Sequence, residues 1–437
     1  MVVAALVSPT SSATTHLLVQ LAVLLGGAHL MGALAKRVGQ PVVIGYVAAG
    51  VLLGPSVLGH LSRGLSGQLL PTNAVSGGML LGIASLGSVF LLALTGLEIH
   101  PPTIRKWSRQ LPWVALGSLV PALALGYGLG WVLPSSFVGL HTTRGGFALL
   151  MAIAFGISSP PVMSAVLRGL GLERREFAHV AMSIAMTDDV TGWVLLGIVV
   201  AGAGGAAAAL AKAGIGLVLL AVAAWSARFA LIRWGSRIPR DSRPLLGIGF
   251  VAAMAAISNG FGIEAVLGAF VAGLALRRMG REGAEVAAAL RPIVTAFLGP
   301  VFFAVAGLRV DVGSLAKPVV LTWTVVVVAL AVSTKVIGVG IPARLSGRSP
   351  AEALALGAIL NVRGSLEVVL AGVGLGAGIL TTTSYSVVVI VALATSTVAS
   401  PLLRYALRAD RSGALATDAV DAAEAGVERS TVGPEPA

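Results

Sequence analysis

Residues 181–200 read AMSIAMTDDVTGWVLLGIVV, an apolar run with two adjacent carboxylates, Asp188 and Asp189, near its middle. A helix of about twenty residues rises about 30 Å, the thickness of the hydrocarbon core of a bilayer. An ionisable side chain at that depth costs several kcal/mol, so its presence indicates a function by default. This stretch therefore predicts a membrane-spanning helix that carries a functional pair of acids.

The rest of the chain has a similar composition. Of 437 residues, 56% are hydrophobic and only 11% are charged, and the mean hydropathy is +0.94. Soluble domains carry about 25% charged residues, so a soluble multidomain protein is excluded. The net charge of +12 does not indicate nucleic acid, because the basic residues are scattered over short loops. The absence of cysteine excludes disulfides and thiolate metal sites.

The hydropathy pattern predicts thirteen transmembrane helices, with an all-α polytopic domain over residues 1–408. Their centres lie near residues 26, 49, 87, 122, 157, 189, 219, 251, 269, 299, 327, 363 and 394. Alternate loops differ strongly in basic content, and the poorer set carries only Arg63, Arg144, Lys212, Arg309 and Lys317. The positive-inside rule then predicts an external N-terminus and a cytoplasmic C-terminus. Residues 409–437 have a polar composition that predicts a disordered cytoplasmic tail.

The chain also contains two pairs of similar stretches. Residues 45–53 read GYVAAGVLL and residues 268–276 read GAFVAGLAL, while VFLLALTGLE from Val89 resembles VFFAVAGLR from Val301. Both pairs are seven spans apart, and an odd offset inverts the second copy relative to the first. The pattern predicts an inverted repeat; the alternative is chance similarity among helices rich in Gly, Ala and Leu.

The two carboxylates have a candidate partner in Lys335, which lies well inside the eleventh span. Adjacent residues on a helix point about 100° apart, so one acid can line a pathway while the other contacts a partner. A buried Asp and Lys are less costly together than apart. The alternatives are an ordinary interhelical hydrogen bond for the acids and snorkelling of Lys335 to the interface.

Two spans contain signals for a break at mid-membrane. In the fifth, Pro160 and Pro161 remove helical donors beside the hydroxyls of Ser158 and Ser159; the alternative is a proline-kinked structural helix. In the twelfth, Asn361 and Gly364 suggest unwound backbone. Broken helices at corresponding positions of two repeats indicate the binding site of a transporter.

The twelfth span also carries Arg363 and Glu367, a core charge pair four residues apart. This spacing equals one helical turn, so an internal ion pair is the structural alternative. Other charged residues, namely Glu98, His100, Glu264 and Asp311, lie near span ends, where exposure at the interface explains them.

A carboxylate with hydroxyls and freed carbonyls supplies the oxygen ligands that a hard cation prefers. The same carboxylate can bind a proton instead, and competition between the two ions at a site open to one side at a time is sufficient for antiport. Asp188, Asp189, Ser158 and Ser159 are therefore the candidate cation and proton ligands.

Eight stretches together resemble the monovalent cation:proton antiporter superfamily, on the Kef/CHX-like branch of the sodium/hydrogen exchangers. In chain order they are QPVVIGYVAAGVLLGPSVLG, FLLALTGLEI, SSPPVMSAVLRGLGL, AMSIAMTDDVTGWV, FGIEAVLGAFVAGLAL, PVFFAVAGLRVDV, STKVIGVG and NVRGSLEVVL, and they cover about residues 15–406. The resemblance implies an inverted-repeat fold with two unwound crossing helices and a homodimer in the plasma membrane. It also implies a core domain at about 111–202 and 317–406 that moves like an elevator past scaffold helices at about 15–97 and 206–308.

By position, Asp189 resembles the family's principal cation and proton carboxylate, and Asp188 the preceding acid that pairs with the intramembrane lysine, here Lys335. Paired acids imply electrogenic exchange, but CHX-like relatives usually carry Asn at the position of Asp188. The sequence from Ser158 to Pro161 also departs from the family pattern, so the choice between Na⁺ and K⁺ stays open. No cofactor is implied beyond the transported ions.

Two other functions are compatible with such a chain: a channel-like potassium efflux protein without strict proton coupling, and a non-transporting sensor or scaffold. An enzyme is disfavoured, because an intramembrane aspartyl protease needs its two acids on separate helices.

Overall fold

The structure is a computed structural model that describes residues 11–62, 64, 74–98, 111–173, 175–203, 214–216, 218, 222, 226, 239–261, 265–410 and 415. Over these residues the regular structure is helical, with an isolated antiparallel bridge between Val138 and Leu380. The described helices are α1 Ser11–Arg37, α2 Val42–Leu53, α3 Leu58–Leu61, α4 Ala74–Glu98, α5 Leu111–Val132, α6 Arg144–Gly156, α7 Pro160–Gly169, α8 Glu176–Ala203, α9 Arg243–Gly260, α10 Ala265–Arg277, α11 Arg281–Leu308, α12 Val312–Leu315, α13 Pro318–Leu345, α14 Pro350–Leu360, α15 Ser365–Gly376 and α16 Thr382–Ala409.

Seven helical stretches of the described residues are long and apolar enough to cross a membrane, and four shorter apolar helices accompany them. One of the seven is Val42–Leu61, which runs through α2 and α3. A helix, or two half-helices separated by a break, lies at each predicted span except the one centred near residue 219. Most of that span lies outside the described residues, so the total of thirteen stays a prediction. Most of the predicted tail, residues 409–437, also lies outside them.

The described helices pack in two groups. One contains α1, α2, α4, α9, α10 and α11, and the other contains α5 to α8 and α13 to α16. Both half-helix pairs, α6 with α7 and α14 with α15, belong to the second group. The carboxylates of α8 lie there as well, so the residues singled out by the sequence lie in one group of helices.

Within the first group, glycines allow two pairs of helices to touch backbone to backbone. A Cβ atom added at Gly50 of α2 would lie 1.9 Å from the carbonyl oxygen of Ala304 in α11. One added at Gly273 of α10 would lie 2.2 Å from the carbonyl oxygen of Ala93 in α4. No side chain fits at such distances, so these two contacts explain why the similar sequence stretches carry glycine at these positions.

Candidate functional site

Two non-helical segments, residues 157–159 and 362–364, separate the half-helices and lie against each other. The Pro160–Pro161 pair prevents α6 from continuing but is well tolerated in the first turn of α7. The backbone N–H of Ser159 donates a hydrogen bond to the carbonyl of Val362 at 2.9 Å, and the Ser158 hydroxyl donates to the carbonyl of Leu360 at 2.8 Å. The two breaks are thus hydrogen-bonded to each other inside the protein.

The break after α6 leaves carbonyl groups without helical partners, and two buried cations satisfy them. The Arg363 guanidinium donates to the carbonyls of Ala154 and Phe155, and it lies 5.4 Å from the centre of the Phe155 ring. The ammonium of Lys335 donates to the carbonyl of Gly156 at 2.7 Å. Positive charge at the negative end of a helix is favourable, so both cations stabilise the end of α6.

Asp188 is the ion-pair partner of Lys335. The Lys335 Nζ lies 3.0 Å from Asp188 Oδ2, and both side chains are fully buried. The Ser118 hydroxyl donates to the same oxygen at 2.7 Å and accepts from Lys335 at 2.9 Å. Ser158 accepts from Lys335 at 3.2 Å. The pair is therefore enclosed by polar contacts from α5, from the end of α6 and from the first break.

Asp189 has very different surroundings. Its side chain is only 2% exposed, yet its Oδ1 has no hydrogen-bond partner and no described Lys or Arg forms an ion pair with it. The charged groups that act on it electrostatically are Glu367, Asp188 and Lys335. A buried polar atom without a partner is unfavourable and requires an explanation.

The two serines that the sequence offered as ligands lie in the first break. Ser158 contacts Lys335 and lies 3.4 Å from Asp188 Oδ2. Ser159 is fully buried, and its backbone joins the two breaks. The structure records no contact of either hydroxyl with Asp189, so their role as ligands stays a prediction.

Arg363 and Glu367 do not form the direct ion pair that their spacing suggested. The chain is extended at Arg363, so the two residues are not one turn apart on a helix. The guanidinium reaches α6, whereas Glu367 Oε2 accepts a hydrogen bond from the Gly364 N–H at 2.7 Å, at the start of α15. The two charges still act on each other electrostatically.

Ser118 and Ser396 are the site residues that sequence reasoning missed. Ser396 accepts from the Arg363 N–H at 3.0 Å and donates to the Arg363 carbonyl, which fixes the second break. Hydroxyl residues are common in packed membrane helices, and Ser396 lies between two others, Thr395 and Thr397. Only their tertiary contacts distinguish these two serines from hydroxyl residues outside the site.

Comparisons with known proteins agree with this architecture. The family model described as sodium/hydrogen exchanger, transmembrane, matches residues 22–409. The Na(+)/H(+) antiporter NhaS4 of Synechocystis sp. is 30% identical over 399 residues, which cover 89% of this chain and 96% of that protein. The Na(+)/H(+)-K(+) antiporter GerN of Bacillus cereus is 26% identical, with coverage of 88% and 95%.

The chain is also similar to a longer yeast protein and to a solved structure. The K(+)/H(+) antiporter 1 of Saccharomyces cerevisiae is 26% identical over 90% of this chain, which spans 46% of that longer protein. The solved structure of the sodium proton antiporter MjNhaP1 from Methanocaldococcus jannaschii at pH 8 superposes with a TM-score of 0.60 at 16% identity, covering 91% of this chain and 99% of that one. That likeness establishes the fold.

Proposed function

Because the chain belongs to the sodium/hydrogen exchanger family, we propose that it is a secondary active antiporter that exchanges Na⁺ or K⁺ for H⁺ at Asp189. It is a multi-pass membrane protein, and in this proposal it transports ions and catalyses no covalent reaction. Relatives named for Na⁺ and for K⁺ are both similar to it, so either cation is a candidate.

The observation that carries the proposal is the contrast between the two acids. Asp188 is neutralised by Lys335 and held by Ser118 through Oδ2, whereas Asp189 is almost equally buried and forms no ion pair with any described residue; one oxygen of each acid, Oδ1, has no hydrogen-bond partner. A permanently paired carboxylate is poorly suited to exchange ions, because its partner must be displaced first. An unpaired one can bind a cation or a proton directly, and either ion relieves the cost of burying its charge.

The charge balance of the buried cluster supports binding of either a proton or a cation, but not of both at once. Asp188, Asp189 and Glu367 are acids, Lys335 and Arg363 are bases, and each is at most 2% exposed. With all five ionised the cluster carries one net negative charge. One proton or one monovalent cation neutralises it, whereas both together leave an uncompensated positive charge in a low dielectric. The two ions therefore compete, and competition with alternating access produces antiport.

For alternating access we propose that the helix group with the site moves against the other group, in an elevator-like motion within a homodimer. A cavity of about 440 Å³ lies between the groups and supports this proposal. It is lined by Ser88, Asn259 and Arg309 from the first group and its loops, and by Val368 and Tyr385 from the second. Location in the plasma membrane with an external N-terminus belongs to the same proposal.

We also propose that the two halves are inverted repeats, and the glycine contacts support this. Gly45 of α2 packs against the carbonyl of Met31 in α1, and Gly268 of α10 packs against the carbonyl of Met254 in α9. The members of each pair are separated by the same number of residues along the chain. Gly50 and Gly273, described above, are likewise equivalent positions in the two similar stretches.

The test is reconstitution of the purified protein in liposomes with an imposed pH gradient. Addition of Na⁺, K⁺ or Li⁺ should dissipate the gradient for the wild type and should have no effect for Asp189→Asn. A repeat with valinomycin, or with a protonophore, shows whether charge moves during exchange. Equal flux in the mutant contradicts the Asp189 mechanism, and cation flux without proton movement indicates the channel-like alternative.

A further inference from the structure

Glu352 and Glu367 occupy equivalent positions in the two half-helices of the broken twelfth span. Each is the third residue of its half-helix, and each accepts a hydrogen bond from the backbone N–H before the helix: Ser349 to Glu352 at 2.9 Å, and Gly364 to Glu367 at 2.7 Å. This contact is a common way to satisfy a helix start. Capping alone therefore explains one oxygen of each side chain.

The second oxygen differs between the two residues. Glu352 Oε1 lies 3.3 Å from Arg348 Nη1, in an ion pair near the surface. Glu367 Oε1 is buried without a hydrogen-bond partner, and the side chain is only 1% exposed. It lines a small cavity that Arg363 also lines; the terminal guanidinium nitrogens of Arg363 are bonded to α6 carbonyls, and Arg363 Nε, like Glu367 Oε1, has no hydrogen-bond partner. Capping leaves this buried charge unexplained.

The other charges around Glu367 show what it contributes. Its carboxylate lies at the second break, where Oε2 accepts from the Gly364 N–H, and this break is hydrogen-bonded to the first break through Val362 and Ser159. Arg363 and Lys335 act on Glu367 electrostatically, and Glu367 and Asp188 both act on Asp189. Without Glu367, the two remaining acids and two bases of the cluster cancel, and a bound cation would leave one uncompensated positive charge. With Glu367, a bound cation makes the cluster neutral.

We propose that Glu367 is the second carboxylate of the exchange site and supplies the negative charge that the transported monovalent cation neutralises. The inference rests on the proposed function, since it assumes that Asp189 binds that cation. It makes Glu367 a determinant of cation affinity and assigns it no part in the opening or closing of the site.

The experiment measures the Michaelis constant (KM) and maximal rate of cation-driven proton flux in proteoliposomes for Glu367→Gln, Glu367→Asp and Glu352→Gln. Glutamine keeps an acceptor for the Gly364 N–H, so the helix start and the fold should be preserved. We expect Glu367→Gln to raise KM about tenfold or more, because one unit of charge near the site is lost. Glu367→Asp keeps the charge and should stay within about threefold of the wild type, and Glu352→Gln should leave KM unchanged.

Two results would overturn the proposal. A wild-type KM in Glu367→Gln means that the residue only caps α15. An equal loss of affinity in Glu367→Asp and Glu367→Gln means that the length of the side chain matters and its charge does not. Asp189→Asn is measured in the same preparation, so a failure of the proposed function, namely retained flux in that variant, is distinguished from a failure at Glu367.

Discussion

Asp188 and Asp189 are consecutive residues of one helix and are almost equally buried, but only Asp188 is neutralised. Lys335 and Ser118 both lie within 3.0 Å of Asp188 Oδ2, whereas Asp189 forms no ion pair with any described residue; Oδ1 of each acid has no hydrogen-bond partner. The difference arises because their side chains point about 100° apart, one toward α5 and α13 and the other away from them. Burial of a carboxylate is thus compatible with two opposite roles, a structural anchor and an exchange group.

The largest effect should come from Asp189→Asn. Asparagine has the same shape but cannot be neutralised by a cation, so cation-driven proton flux should fall to the level of protein-free liposomes. The fold should be retained, because Asp189 makes no ion pair with any described residue. A melting temperature in detergent at or above that of the wild type is the matching control. A large drop would assign Asp189 a structural role instead.

The next largest effect should be on stability, for Lys335→Met. This change leaves Asp188 buried with an unpaired charge, which costs about 3–5 kcal/mol. Thermal unfolding in detergent should show a clear decrease. The double variant Asp188→Asn/Lys335→Met removes both charges and should recover most of the loss. If the double variant is no more stable than the single one, the pair is not the anchor of this region.

A smaller loss should follow Ser118→Ala. The hydroxyl bonds both members of the ion pair, and loss of such a contact leaves buried charge less well satisfied at a cost of about 1–3 kcal/mol. Exchange should persist, since Ser118 contacts Asp188 and does not contact Asp189. Complete loss of flux with normal stability would contradict the division of roles between the two acids.

The smallest effect should be that of Thr324→Val, which serves as the matched control for Ser118→Ala. Thr324 is also buried in a membrane helix, but its hydroxyl bonds the carbonyl of Val320 in its own helix at 2.8 Å. The carbonyl keeps its helical partner, so the change should cost about 1 kcal/mol or less. A loss of stability as large as that of Ser118→Ala would show that the contact with the ion pair contributes no more than a hydroxyl bonded within its own helix.

The sequence was sufficient for the features that depend on local chemistry. Long apolar runs predict membrane helices. Pro160 and Pro161 end α6 through their own backbone chemistry, without any tertiary contact. Gly364 allows the second break because a Cβ there would lie 2.6 Å from Val162 Cγ2. Residue spacing alone left open which acid contacts Lys335, and only the family resemblance selected Asp188.

The features that the sequence did not predict depend on how the two breaks cross. The spacing of Arg363 and Glu367 suggested an internal pair, but the extended backbone turns the guanidinium toward the end of α6. Ser118 is distant from Asp188 in the chain and meets it only after α5 and α8 pack. The division into moving and static helices, the homodimer and the orientation in the membrane stay predictions.

The most direct test of the central claim is the KM for the cation that drives the larger flux, measured as a function of pH in proteoliposomes. If the cation and the proton compete for Asp189, KM should rise about tenfold for each unit of decreasing pH in the range where protons occupy the site, at a constant maximal rate. A KM that does not depend on pH, with a maximal rate that does, would contradict competition at a shared carboxylate.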